Sequence, residues 1–585
     1  MKNYLATTGL FEHWSLDNPL ILLGPWCITE PSRKILNDKS FTVAPSPFNP
    51  AIKIKEAADY CDEVYHRLIT QLTIQLNAVH RTNFPEKYWK ILVGPWLYFF
   101  IGVFYERYKR IENAISLYEE FFLHALPKER LSLTCFDSYD FINNKVNDHF
   151  YNFNLFSLIA HECCPSKIVE ISLNLKLKST YRKFSLRSRW QWWFHNKLFS
   201  RGEILLSEMV FLSLLEKLKI KFHPRLKNIG FYEFAINDRM QMYNSKEIVH
   251  RKNLFFTEDR NSFEKLFFRL LPDALPIRYI ELYKENAGCV EKIKSLKNKK
   301  LIGSTYGWYF NEPFKFFAAK SAIEGAKIIE FQHGGGYGTF LTNPNEKLAL
   351  QKDYLFTFGW KSIDHPEKTY PLPNYYISKI RNTYNQKLKK VILVGTDRSL
   401  YHYKFVTHTN PEDMAKYLDD KKKLYDSLLP SIKGNFLYRP RFNKPVWETE
   451  ETIKKLMPNI EIIRHKPLIE WMKKVALVII DHPHAAILEA LVINVPCIFY
   501  WDHRVYLMNA NAEPYFQLLR DAGILHTNPE SAAAQVNAVW DDSNGWWLQS
   551  QCQSTRTEFV NHFCLSDNLW KNQWSIAFKK ILKSG

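Results

Sequence analysis

Through the second half of the chain, apolar residues come in short unbroken runs, each followed by a polar, helix-compatible stretch. VILVGT (391–396), FLYRPRF (436–442), EIIRHK (461–466), VALVIID (475–481), PCIFYW (496–501) and ILHT (524–527) read as strands. Helical spacing falls between them, around 411–429, 448–456, 469–474, 485–493 and 513–523. Apolar strands that alternate with helices predict a parallel sheet, because βαβ crossovers cover both of its faces. We therefore expect a Rossmann-like domain over 388–545 and a helical tail over 546–585 that packs back across the domains.

The first half is less regular. LIGSTYG (301–307), a helix over 312–325 and KIIEFQHGG (327–335) predict one βαβ unit. PLILLGPWC (19–27) and KILVGPWLY (90–98) share an LxGPW core, and both read as strands ending in a tight Gly-Pro turn. The longest apolar run, ILVGPWLYFFIGVFY (91–105), reads as a buried strand followed by a helix. Residues 1–387 are expected to form one α/β domain with helical insertions.

Composition narrows the class. A chain of 585 residues, 46% hydrophobic and 24% charged, is too apolar for disorder and too long for one domain. Lys and Arg number 79 against 60 Asp and Glu, a net charge of +19. Such an excess calls for an anionic partner: nucleic acid, lipid headgroups or a phosphorylated substrate. The nine cysteines are odd in number and lack CxxC spacing, which argues against a disulfide framework or a Cys-built zinc site. The apolar run after Lys2 meets Glu12 and His13 too soon for a signal peptide. The 91–105 run has 15 residues and contains Pro95, below the roughly 20 that span a bilayer. A cytoplasmic protein is expected, touching the membrane from its inner face.

One stretch fits such a contact. Residues 176–201 hold eight Lys or Arg, seven aromatics and no acid. Arg182, Lys183, Arg187, Arg189, Trp190, Trp192 and Trp193 are its membrane-contact candidates, since basic residues mixed with Trp suit a headgroup layer. A solvated basic face with its tryptophans in the core is the blander reading.

Four strand ends carry candidate chemistry. His333 with Gly334, Gly335 and Gly336 follows a predicted strand directly. Consecutive glycines let backbone approach a ligand and expose N–H groups, and a histidine there suits proton transfer. Arg439 and Arg441 flank Pro440, and their guanidinium forks match phosphate oxygens. His465 and Lys466 add cations at the next strand end. Asp481, His482 and His484 lead from a strand into a helix whose N-terminus is a ready phosphate site. Glu489 sits about one turn inside, placed for a sugar or ribose hydroxyl; helix capping for Asp481 and a buried, paired side chain for Glu489 are the structural alternatives. No HExxH or comparable spacing marks a metal site.

These segments resemble a known group. DHPHAAILEALVINVPCIFYW (481–501) with HGGGYG (333–338) and R-P-R is similar to GT-B glycosyltransferases. TTGLFEHW (7–14), LGPWC (23–27), FTFGWK (356–361) and LEALVINVPCIFYW (488–501) resemble, more closely, the transferase family of O-antigen and other surface-polysaccharide loci. The resemblance implies two Rossmann-like domains facing a cleft, with the acceptor on the N-terminal side and a nucleotide-sugar donor on the C-terminal one. It makes His333 the cleft histidine and base, Arg439 and Arg441 phosphate binders, and Glu489 the sugar contact. Ala485 and Ala486 depart from the commoner pattern, where Ser or Thr meets the phosphate. That shifts the load to backbone N–H groups, His482 or His484.

The leading expectation is a metal-independent glycosyltransferase with no cofactor, acting on a saccharide or lipid-linked acceptor. A CMP-linked acidic sugar is one donor that suits the charge. The alternatives are a polyol-phosphate transferase, a nucleotide-sugar epimerase, and a non-enzymatic nucleic-acid- or lipid-binding protein. No nucleic-acid-binding motif occurs. Asp137, Asp140, Asp148 and Glu312 are further candidates for an N-terminal base.

Overall fold

The computed structural model describes residues 2–173, 186–210, 212–234, 251–257, 259–291, 293, 296–441, 447 and 449–583. Its strands form three parallel sheets. The first holds β1 (Asn3–Ala6), β2 (Leu20–Leu22), β3 (Phe41–Val43), β4 (Phe121–Ala125) and β5 (Ile168–Glu170) in the order β3-β2-β1-β4-β5. The second holds β6 (Ile204–Ser207), β7 (Ile229–Phe231), β8 (Leu301–Ser304), β9 (Lys327–Phe331), β10 (Tyr354–Thr357) and β11 (Thr369–Pro371), ordered β11-β10-β9-β8-β6-β7. The third holds β12 (Leu388–Val394), β13 (Phe436–Arg439), β14 (Glu461–Ile462), β15 (Val475–Ile480), β16 (Cys497–Tyr500) and β17 (Leu525–His526).

The third sheet runs β14-β13-β12-β15-β16-β17, the doubly wound Rossmann order. The expected α/β class, with parallel-sheet domains across a cleft, is what the chain forms. Its strands are apolar on both faces because both are covered. Val391, Leu393 and Ile479 pack on one side with Leu424 and Val536. Ile392, Val394 and Val478 pack on the other with Ile487 and Leu491.

Residues 1–387 build two sheets where one domain is expected. The first and second sheets share a continuous core: Leu5, Ile21, Leu68, Phe100, Ile302 and Ile328 belong to one cluster. The run 91–105 is a correction. It is helical, spanning the end of Glu86–Leu92 and the start of Gly94–Leu117, so 90–98 is not a strand. A short apolar run does not separate a buried strand from a buried helix. Pro95 lies in the first helical turn, where its missing N–H costs no bond.

The last helices cross between domains. Ser550–Phe563 packs on helices Ala485–Ile493 and Glu513–Asp521. Trp570–Lys583 packs Trp574 and Phe578 on Phe331 and Phe356 of the second sheet. No helix among the described residues is long and apolar enough to cross a membrane.

Candidate active site

An open cleft of about 1020 Å³ lies between the carboxyl ends of β8 and β9 and those of β12, β13 and β15. In the third sheet, β12 and β15 are neighbours where the strand order reverses, the place where open α/β sheets bind ligands. Phe99, from helix Gly94–Leu117, and Ile142 add to the rim.

The C-terminal wall is cationic. Among the described residues, Arg398, Lys404, Arg439, Arg441 and Lys466 line the cleft, against a single carboxylate, Glu489. The Arg441 guanidinium donates to the Asp397 carbonyl at 2.8 Å. Arg439 is more deeply held, with one N–H on the Ile463 carbonyl at 3.2 Å. Burial lowers its pKa, and the neighbouring Arg464 adds to that. Helix Ala485–Ile493 opens on the cleft, and its N-cap residue, His484, makes no side-chain cap. That end presents free N–H groups and the positive end of the helix dipole.

Glu489 lines the cleft and accepts from the Tyr376 hydroxyl at 3.0 Å. Burial pushes its pKa up to about 7. Near neutrality it therefore offers both a donor and an acceptor to a hydroxyl. His482 also lines the cleft, its Nδ1 2.8 Å from the Asp481 carboxylate.

Asp481 itself does not line the cleft. It is buried, accepts from Tyr417 at 2.7 Å, and pairs with Lys421. Burial would raise its pKa, but Lys421 and His482 hold it below the usual carboxylate value. His465 is not on the cleft either; its ring packs on Trp471 at 5.2 Å. Lys466 reaches the cleft from a turn with φ +65°.

The opposite wall carries His333 in a cage of phenols. Its ring lies 4.4 Å from Tyr306, 5.3 Å from Tyr337 and 5.6 Å from Tyr309, centroid to centroid. The Tyr337 hydroxyl is 3.3 Å from the imidazole nitrogens. Behind it, Glu330 Oε1 stands 4.0 Å from His333 Nδ1 and accepts from Tyr309 at 2.5 Å. Burial, and then Lys404, push the His333 pKa down to about 3. The imidazole is neutral at physiological pH and, held this way, a weak base. An anion bound beside Lys404 offsets that ammonium and raises the basicity of the ring.

The three glycines have three separate tasks. Gly334 lines the cleft with open space where a Cβ would stand. At Gly335 a Cβ would sit 2.6 Å from the His484 carbonyl carbon and 2.7 Å from the Ala485 nitrogen. Here the backbone after β9 touches the N-terminus of the helix after β15. Gly336 has φ +90° and does not line the cleft. It shapes the turn that seats Phe340.

Sequence reasoning missed Arg398 and Lys404. Both lie on the loop after β12, which crosses to helix Gly94–Leu117. There Arg107 donates to the His402 carbonyl, and Arg110 pairs with Glu412. Arg398 donates to His484 at 2.5 Å and to the Tyr506 hydroxyl at 3.3 Å. The signal was available: TDR directly follows VILVG, and the turn after the first strand of this fold is its phosphate turn. The field shows at Tyr403. Burial would raise its pKa, yet Lys404, Arg441 and Arg398 hold it below the ordinary phenol value.

The other acid candidates lie off the cleft. Asp137 pairs with Arg278 at 3.1 Å, and Glu312 with Lys315 at 2.9 Å. Asp140 accepts from the Phe136 amide at 3.0 Å, and Asp148 caps helix His149–Cys163. Arg182 and Lys183 lie outside the described residues. Arg187 and Arg189 fall in the first turn of helix Leu186–Phe199, and their side chains are not among the described ones. Trp190 and Trp193 are exposed, whereas Trp192 is half-buried near Tyr232.

A family model described as LIC12162 family transferase matches residues 3–578. No curated protein matches. Among solved structures, MurG of Acinetobacter baumannii is 11% identical, covering 64% of this chain and 99% of that one, with TM-score 0.33. UDP-GlcNAc 2-epimerase from Neisseria meningitidis, bound to UDP-GlcNAc, is 10% identical over 65% and 100%, with TM-score 0.34. WaaG, a glycosyltransferase involved in lipopolysaccharide biosynthesis, is 13% identical over 50% and 94%, with TM-score 0.27. Likeness at this level says nothing about substrates.

Proposed function

The chain belongs to the LIC12162 family of transferases, and from that premise we propose that it transfers a sugar from a nucleotide-sugar donor to a saccharide or lipid-linked acceptor. The observation that carries this reading is the pairing of five cations and a helix N-terminus on one wall with a neutral histidine on the other.

The acceptor hydroxyl oxygen bonds to the anomeric carbon, and the bond from that carbon to the phosphate oxygen breaks. The hydroxyl proton passes to His333, and the electron pair leaves with the phosphate. Arg398, Arg441, Lys466 and the N–H groups of Ala485 and Ala486 face the charge that develops there. Glu489 takes a hydroxyl of the donor, and the phenols around His333 offer ring faces and hydroxyls to the sugars. Lys404 is close enough to His333 to depress its basicity. A second cation site on the sugar side of the phosphate suits an acidic sugar, and a CMP-linked donor of that kind is the finer form of the proposal. The site of action we assign is the inner face of the cytoplasmic membrane.

A thermal-shift series with CMP, UDP, GDP and CDP names the donor class, since a ligand that binds only the folded state raises the melting temperature. Product analysis then separates a new glycosidic bond from a phosphodiester or an isomerised nucleotide sugar. His333→Ala is expected to abolish turnover with the nucleotide shift retained. Transfer at near wild-type rate in that variant removes His333 as the base.

A further inference from the structure

Helix Leu186–Phe199 packs one face on the edge of the second sheet and turns another outward. Phe199 is buried, and Asn196 exchanges hydrogen bonds with the Glu233 backbone, both at 2.9 Å. Trp190, Trp193, Phe194 and Leu198 recur at helical spacing, so they share a face. A neighbouring helix, Leu214–Lys221, is tied alongside. Lys217 Nζ lies 3.2 Å from His195 Nε2, and Lys221 donates to the Arg201 carbonyl at 2.6 Å. This helix and the residue after it add Leu214, Leu215 and Phe222. All seven large apolar side chains are more than half exposed, Trp190 at 72% and Phe222 at 80%. Large apolar side chains exposed on two adjacent helices mark an interaction surface.

The segment that carries them is basic. Lys197, Arg201, Lys219, Arg225 and Lys227 are exposed on the same segment. Its four acids are all engaged. Glu203 meets Lys300 at 2.9 Å, Glu216 meets Lys379 at 2.8 Å, Glu233 meets Lys217 at 2.6 Å, and Glu208 accepts from Asn311.

We propose that this edge docks the protein on an anionic lipid surface. Tryptophan and phenylalanine seat at the headgroup boundary, the leucines reach the acyl region, and the exposed cations meet lipid phosphates. Leucines at 198, 214 and 215 have nothing to offer a nucleic-acid base or phosphate, which favours lipid over a polynucleotide. Trp192 lies 6.2 Å from Tyr232, just past the carboxyl end of β7. The aromatic half of the helix therefore stands at the end of the sheet that opens into the cleft. The docking stands independently of which group the cleft transfers, and it suits a lipid-linked acceptor.

Vesicle flotation of the full chain tests it, with phosphatidylcholine alone and with equal parts phosphatidylcholine and phosphatidylglycerol. Wild type is expected to float with the mixed vesicles only. A Trp190→Ala, Trp193→Ala, Phe194→Ala triple variant, and a Lys197→Glu, Arg201→Glu, Lys219→Glu, Lys227→Glu variant, are each expected to lower the bound fraction about tenfold or more. Their melting temperatures are expected to match wild type, because the substituted side chains are exposed. Three results overturn the proposal: wild type that does not float, variants that float like wild type, or capture of a single-stranded oligonucleotide at physiological salt with no flotation.

Discussion

Adding a single methyl group at Gly335 tests whether the cleft depends on close backbone contact between two domains. A Cβ there would lie 2.6 Å from the His484 carbonyl carbon, 2.7 Å from the Ala485 nitrogen and 2.9 Å from the His484 Cα. Carbon atoms rest about 3.5–4.0 Å apart, so the loop and the helix N-terminus must separate by about 1 Å. All three atoms are backbone, and no side chain can swing aside. Nearby, the Leu341 amide bonds the Leu507 carbonyl at 2.9 Å, and the Asn509 amide bonds Thr339 at 2.8 Å, so the domains are fastened around the contact. Overpacking of this kind costs about 1–3 kcal/mol. Misplacing a catalytic group by about 1 Å lowers turnover roughly a hundredfold. Gly335→Ala is therefore expected to lower the melting temperature by a few degrees and kcat/KM by about two orders of magnitude. Gly334→Ala is the control, because nothing lies within 4 Å of its added Cβ. Differential scanning calorimetry and the transfer assay read both variants. Equal melting temperatures and equal rates for the two would refute the contact.

Three other outcomes follow from the same geometry. Arg398→Ala should weaken binding of the stabilising nucleotide about tenfold or more by calorimetric titration, as a lost charged hydrogen bond is worth about 1.5–3 kcal/mol. Arg398→Lys should not restore it, since one ammonium cannot fork. Asp481→Asn leaves Lys421 buried without its counter-charge, a loss of about 3–5 kcal/mol in denaturant unfolding. An unchanged midpoint with lost nucleotide binding would instead make Asp481 a ligand. Glu489 has a folded pKa raised by burial to about 7 from an ordinary 4.5. The folded state then binds a proton the unfolded chain lacks between those values, so its stabilising effect is full below pH 4.5 and lost through pH 7. Glu489→Gln should melt higher than wild type at pH 8 and alike at pH 4; no pH dependence in that difference would sink the assignment.

The third sheet was legible because β12, β13, β15 and β16 are apolar on both faces and bounded by turn residues. The first sheet was not. Its strands are three to five residues long, and β3 and β4 are separated by the long helices Ile52–His80 and Gly94–Leu117. Periodicity is a local signal, whereas sheet membership pairs residues far apart in the chain. Arg398 and Lys404 escaped for a related reason: the loop that carries them has no period, and distant contacts at Arg107 and Arg110 hold it in the cleft.

By itself, the chain determined where strands end and which side chains follow: His333, Arg439, Arg441, Lys466, His482 and His484 at strand ends, and Glu489 in the helix after β15, all reach the cleft. The tertiary structure alone decided their employment. Asp481 is taken by Tyr417 and Lys421, roughly sixty residues away, and Gly335 by the backbone of another domain. A polar group at a strand end bonds whatever the fold brings within about 3 Å, and adjacency in sequence does not reveal that partner.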